Sequence, residues 1–288
     1  MDKIKKIVSF LASQITIKKH ITANVVSLAP SELLKGRTAL ITGGTSGIGL
    51  SIAEAYLKAG ATVVITGRND DKIKTACNHL NNNIKSESNA IGVKMDITDI
   101  NKIPEAFNHI LDTLSGRKID ILVNNAGVMG NFGISHAQEG MFDYVIDTNI
   151  KGPFFLCQTV GNYMKENGIQ GNILNIASSS SIRPANSVYG ISKWGLRGFT
   201  LGLAKSLLPY GITVNGLAPG PTATPMLQTD SKKGIERPGL MERLIMPEEI
   251  ANMAVVLVSG IGKTIIGDII YMTTGCGVIT YDDIPCEF

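Results

Sequence analysis

Cysteine is scarce in this 288-residue chain. Cys77, Cys157, Cys276 and Cys286 form no CxxC pair and have no histidine close in sequence, which argues against a disulfide scaffold and a zinc site, so no metal is expected. A reduced, cytoplasmic setting is the expectation. An excess of one charge sign is missing as well. The formal net charge is +3, with no long basic block and no basic patch interleaved with aromatics, so a nucleic-acid partner held by phosphate contacts is not expected. No apolar run reaches the roughly 18 residues that would suggest a membrane span. Internal repeats and low-complexity linkers are absent too. What is present is 44% hydrophobic and 18% charged residues, enough apolar material for one large α/β domain and too much for global disorder.

Residues 1–36 stand apart from the rest. Ile4, Ile7, Val8, Leu11 and Ile15 recur at helical spacing between Lys3, Lys5, Lys6 and Lys18, the pattern of a short amphipathic helix. The run Ile7 to Ala12 is too short for a secretory signal. The segment is expected to be an N-terminal extension packed on the domain or on a neighbouring subunit, with a membrane-surface role as the alternative.

From residue 37 to 288 strand-like and helix-like stretches alternate. Thr38–Thr42, Ala61–Thr66, Ala90–Met95, Ile119–Val123, Gly171–Ala177, Gly211–Leu217 and Gly267–Met272 read as strands. Parallel strands need crossover connections, usually helices. The alternation therefore predicts a Rossmann-like, doubly wound parallel sheet covered by helices on both faces.

Two constellations carry chemistry. Gly43, Gly47 and Gly49 lie between the first strand and the first helix, where missing side chains let the backbone approach a pyrophosphate at a helix N-terminus. Tyr189 and Lys193 are four residues apart, so a helix places them on one face. An ammonium beside a phenol favours the phenolate and lowers its pKa, tuning tyrosine for proton transfer. At the end of the second strand, where an acid would bind both ribose hydroxyls of NAD, stands Gly67 with Arg68 beside it. That favours NADP over NAD, while Asp70 and Asp71 suit the start of the next helix.

The spacing Thr42-Gly-x-x-x-Gly-Ile-Gly49, with Asn124-Asn-Ala-Gly127 and Tyr189-x-x-x-Lys193, resembles the short-chain dehydrogenase/reductase family over residues 35 to 277. The resemblance implies a tetrad of Asn149, Ser178, Tyr189 and Lys193. Tyr189 would exchange the proton, Lys193 would lower its pKa and bind the nicotinamide ribose, and Ser178 would steady the substrate oxygen. Asn149 would sit at a break in a long helix and hold a water. Tyr189 lies eleven positions after Ser178, a shorter spacing than the family commonly has, so Ser179 stands as the alternative serine. The resemblance further implies cofactor contacts from Gly43, Thr45, Ser46, Gly47, Ile48, Gly49, Arg68, Asp96, Ile97, Asn125, Ala126, Gly127, Tyr189, Lys193, Pro219, Gly220, Thr222 and Thr224. A homo-oligomer, a tetramer by family likeness, is expected through the helix from Ser187 and the one over Asp147 to Met164. Glycines 190, 195, 198 and 202 of the former suggest close approach of another backbone. Met226 to Met246 reads as a substrate lid.

The expected activity is interconversion of a carbonyl and a secondary alcohol, of 3-oxoacyl or small-ketone reductase type. The alternative is a polyol or sugar-acid dehydrogenase of gluconate type using NAD(P). A nucleotide-sensing protein without chemistry would show a broken tetrad, and this sequence has a candidate for each member.

Overall fold

A computed structural model describes residues 30–84, 89–130, 133–227 and 243–275 of the chain. The stretch read as an amphipathic helix and most of the stretch read as a lid lie outside them. Seven strands form one sheet: β1 (Thr38–Thr42), β2 (Thr62–Gly67), β3 (Ala90–Lys94), β4 (Ile121–Asn124), β5 (Asn172–Ile176), β6 (Thr213–Pro219) and β7 (Ile269–Met272). Their order is β3-β2-β1-β4-β5-β6-β7, and every neighbouring pair is parallel. The helices between them are α1 (Gly47–Lys58), α2 (Asp70–Asn83), α3 (Ile103–Thr113), α4 (Glu139–Ile146), α5 (Gly152–Glu166), α6 (Val188–Leu207) and α7 (Pro247–Val258). Among the described residues no helix is long and apolar enough to cross a membrane.

The strands are apolar throughout because both faces of a parallel sheet are covered. Successive side chains nevertheless separate by face. Ala39 and Ile41 of β1 join Ile52, Tyr56, Ile250 and Ala254 in one core, while Leu40 between them joins Phe107, Ile110, Leu156 and Val160 in the other. Full burial of such a side chain contributes about 1.5–3 kcal/mol, so these two layers supply most of the favourable free energy. The Tyr56 hydroxyl, buried with its ring, donates to Ala254 O at 3.2 Å and ties α1 to α7.

At the foot of the sheet Arg37 binds three strands together. Its Nε donates to Asp120 Oδ2 at 2.8 Å and its Nη2 to Asn172 Oδ1 at 2.7 Å, while Asp120 Oδ1 accepts from Thr38 N at 3.1 Å. Burial holds the Asp120 carboxyl above the ordinary range, with Arg37 pulling against it.

Strand order reverses between β1 and β4, since the chain runs outward to β3 and then returns to the other side of β1. In an open α/β sheet the crevice at such a reversal, beyond the carboxyl ends of the strands, is where ligands bind. Both motifs that follow these strands, the glycine turn and Asn124–Gly127, therefore meet there.

Two expectations concern helices. The helix expected around Asp147 to Met164 begins earlier, as α4, and is interrupted by a π-turn over Asp147–Lys151 before α5, so Asn149 stands at a break in a long helical run as expected. Within the chain the glycines of α6 meet different neighbours. A side chain at Gly195 would meet Ile150, one at Gly190 would meet Ala185, and Gly198 and Gly202 have nothing within 4 Å.

Candidate active site

A cavity of about 510 Å³ runs along the carboxyl ends of the strands, from the β2–α2 junction past the glycine turn to Tyr189. The turn's shape depends on atoms that glycine lacks. Gly43 adopts φ +64° and Gly47 φ +54°, left-handed conformations that other residues rarely take. A side chain at Gly43 would meet Ala126 Cα at 2.9 Å, and one at Gly49 would collide with Asn125 Nδ2 and Gly43 O. Asn125 Nδ2 donates to Thr42 O and Gly43 O, both at 3.0 Å. Thr42 Oγ1 accepts in return from Asn125 N at 3.0 Å and Ala126 N at 3.1 Å. The glycine turn and the loop after β4 are thus one hydrogen-bonded unit. Ser46 caps α1 without a side-chain hydrogen bond, which leaves the helix N-terminus facing the cavity. This open cradle at a helix start fits the pyrophosphate of a dinucleotide.

Beyond β2 the cavity is cationic. Arg68 and Lys72 line it, and Arg68 lies over the Tyr144 ring at 5.7 Å. Asp70 is paired with Lys94 at 2.7 Å, and Asn69 caps α2 by accepting from Lys72 N at 2.9 Å. Asp96 Oδ1 accepts from Thr98 N at 3.0 Å and Thr98 Oγ1 at 2.8 Å, closing its own turn in the wall.

The tyrosine end is built on β5 and α6. Ser187 Oγ accepts from Gly190 N at 3.2 Å, and this cap starts α6 two residues before Tyr189. Lys193 Nζ, buried, donates to Ile176 O at 2.8 Å and lies 5.6 Å from the Tyr189 ring centroid. Ser178 follows β5 and opens a 3₁₀ turn over Ser179–Ile182, its Oγ accepting from Ser180 N at 3.1 Å. Ser178 and Tyr189 share the cavity wall, and the Ser178 hydroxyl is near enough to act on the Tyr189 phenol. Asn149 lies in the π-turn. Its Nδ2 donates to Val128 O at 2.9 Å and Ser192 Oγ at 3.0 Å, its Oδ1 accepts from Val128 N at 2.9 Å, and Ser192 Oγ donates to Tyr189 O at 2.7 Å. This side chain fastens the loop after β4 to the first turn of α6.

The protein alone does not lower the Tyr189 pKa, contrary to the expectation from its neighbour. Burial pushes the phenol upward, with the Ser178 hydroxyl acting the other way. Burial also pulls Lys193 down to about 8. Both shifts disfavour the charged form, because both groups are withdrawn from water.

The cavity wall gathers Ser178, Ser179, Tyr189, Lys193, Pro219, Gly220, Thr222 and Thr224 with the turn residues Gly43, Thr45, Ser46, Gly47 and Ile48. Arg68, Asp96, Ile97, Asn125, Ala126 and Gly127 complete the expected set there. Gly49 and Asn149 are not in the wall; they pack behind it. The sequence reading omitted Lys72 and Thr148, which line the cavity. Lys72 was findable: it stands in the first turn of α2, and helical side chains lean toward the N-terminus. Among the described residues no cluster of three metal-ligating side chains occurs.

A family model described as short chain dehydrogenase matches residues 37–234. The chain belongs to the short-chain dehydrogenase/reductase family. As a family member it is an NAD(P)-dependent oxidoreductase with a small-molecule substrate. It is 34% identical over 250 residues to a 3-oxoacyl-[acyl-carrier-protein] reductase of Aquifex aeolicus, covering 84% of this chain and 98% of that one. A glucose 1-dehydrogenase of Bacillus subtilis is 33% identical over 253 residues, covering 84% and 95%. Among solved structures, a 3-ketoacyl-(acyl-carrier-protein) reductase of Brucella melitensis complexed with NADH superposes with a TM-score of 0.75 at 30% identity, covering 85% of this chain and all of that one.

Proposed function

We propose that the protein is an NADP-preferring reductase of a ketone or 3-oxoacyl group, with Tyr189 as its proton donor. The observation that carries this reading is Tyr189 and Ser178 in one cavity wall with Lys193 buried 5.6 Å from the tyrosine ring centroid, in a cavity continuous with the glycine cradle. The nicotinamide cofactor, when bound, supplies the hydride to the carbonyl carbon. Tyr189 donates its phenolic proton to the carbonyl oxygen, giving the alcohol and a phenolate. Ser178 hydrogen-bonds the same oxygen as negative charge develops on it. Lys193, as the cation, stabilises the phenolate, and Asn149 holds the helix turn that carries both. In the oxidising direction the same groups act in reverse.

Tyr189→Phe removes the proton and little else. NADPH consumption with a ketone panel is expected to fall by about 10²–10⁴-fold, with NADPH affinity retained; an unchanged rate would remove Tyr189 from the mechanism.

The preference for NADP rests on Arg68 and Lys72 in the wall and on the pairing of Asp70 with Lys94, which leave cations to meet a 2′-phosphate. Arg68→Ala is expected to bring the affinities for NADP and NAD together, as read by titration of each; an undiminished preference would exclude the arginine. The likeness to a glucose dehydrogenase supports a second reading, oxidation of a polyol or sugar acid at the same site. The exposed stripe Ile191, Trp194, Gly198 and Leu201 on α6, with Phe154 on α5, supports a homo-oligomer, tetrameric by family likeness.

A further inference from the structure

Charge is distributed unevenly along the cavity. Arg68, Lys72 and Asp96 belong to its β2–β3 end, whereas the wall near Tyr189 has Lys193 and Arg183 and, among the described residues, no carboxylate. Lys193 is buried, donates to the Ile176 carbonyl and serves Tyr189 in the proposed mechanism. Arg183 is different.

The backbone of Arg183 is held on both sides. Its N–H donates to Ser180 O at 3.4 Å, and its carbonyl accepts from Trp194 Nε1 at 2.7 Å. The turn beneath is fastened as well: Ser181 Oγ donates to Ser178 O at 2.7 Å and lies 3.1 Å from Tyr271 Oη. Pro184 follows, and Arg183 takes the extended conformation (φ −106°, ψ 155°) that a following proline favours. The neighbouring guanidinium of Arg197 is spent on Ser181 O at 3.3 Å and on the Trp194 ring at 5.3 Å. The Arg183 guanidinium, by contrast, has no hydrogen bond, ion pair or ring contact among the described residues, and its residue lines the cavity with Ser178, Ser180 and Tyr189. Arg183 is exposed, and its fork of donors is not spent on other side chains or carbonyls, which leaves it free to meet a planar or tetrahedral oxyanion entering the cavity.

We propose that Arg183 is a specificity-determining residue that binds an anionic group, a carboxylate or phosphate, on the same small molecule as the reacting carbonyl. A single compact turn, Ser179–Ile182, separates it from Ser178 in the chain, and both line the same cavity. The inference rests on the carbonyl-reductase reading and narrows its substrate class to oxo acids and ketone phosphates.

The test is kcat/KM with NADPH for matched anionic and neutral pairs: pyruvate and pyruvamide, acetoacetate and acetoacetamide, levulinate and levulinamide, dihydroxyacetone phosphate and dihydroxyacetone. In the wild type at least one anion is expected to exceed its neutral partner tenfold or more. The first three pairs report a carboxylate and its distance, and the fourth a phosphate. Arg183→Ala is expected to bring that ratio within twofold, chiefly through KM, and Arg183→Lys to retain part of it. A wild type that treats every pair alike, or a preference that survives Arg183→Ala, would overturn the assignment and leave carbonyl reduction standing. Consumption of none of the eight compounds by a wild type that binds NADPH would overturn the assignment, and failure to reduce a 3-oxoacyl thioester as well would overturn carbonyl reduction.

Discussion

Lys193 gives the site its pH response, and the sign follows from burial. Its ammonium is lowered to about 8 while the Tyr189 phenol is raised above its ordinary value. Reduction, on the proposed mechanism, needs a protonated phenol and a cationic lysine. Tyr189 stays protonated through neutral and mildly alkaline pH, so the lysine sets the alkaline limb. For the reductive kcat/KM, which reports the free enzyme, a plateau is expected below about pH 8 and a tenfold fall per unit above it. The same group has the opposite effect on stability. An unfolded lysine keeps its proton up to about 10.4, so between the two values the unfolded chain binds more protons and the lysine's contribution to stability rises with pH. Rate profiles read beside urea unfolding at pH 7 and pH 10 check both slopes. An alkaline limb beginning above pH 10 would point to the tyrosine and remove Lys193 from this role.

Among the elements, the glycine turn and β4 behave as one piece because Asn125 and Thr42 cross-link them. Gly49 is where this shows most. A methyl there would collide with Asn125 Nδ2 and Gly43 O, and one of those colliding atoms is backbone, which cannot rotate away. Gly49→Ala is therefore expected to weaken NADPH at least tenfold in a binding titration and to cost about 1–3 kcal/mol of stability, although the residue is outside the cavity wall. Unaltered NADPH affinity would show that the turn adapts independently of β4. The glycine spacing was readable in the sequence, and so were the strands, since their apolar runs and intervening helices admit few arrangements other than a parallel sheet. What was not readable came from contacts distant in sequence. The break at Asn149 was implied by the family resemblance, but not the contacts that hold it, Asn149 reaching Val128 and Ser192. Likewise the direction of the Tyr189 shift depends on how deeply β5 and α6 bury the pair, which Tyr189-x-x-x-Lys193 does not encode. Residues 189 and 193 were legible as a pair; their solvation was not.

For the molecule as a whole, the sheet separates support from chemistry. Arg37, Asp120, Thr38 and Asn172 lie at the foot of β1, β4 and β5, and Tyr189, Lys193 and the glycine turn lie at the head. Arg37→Ala leaves the Asp120 carboxylate partly buried without its partner, at a cost of about 3 kcal/mol. It is expected to lower the urea midpoint accordingly while leaving the pH–rate profile in place. A displaced alkaline limb would mean that the foot communicates with the head. The expected independence has a length scale. Strands of this kind rise about 3.3 Å per residue, so the five residues of β1 set the ion pair about 16 Å from the site, beyond the roughly 8 Å over which physiological salt screens a charge. Loops at the head can therefore exchange one substrate for another under selection while the foot is left alone. Ancestors and descendants of this chain could differ in what they reduce and still melt at the same temperature.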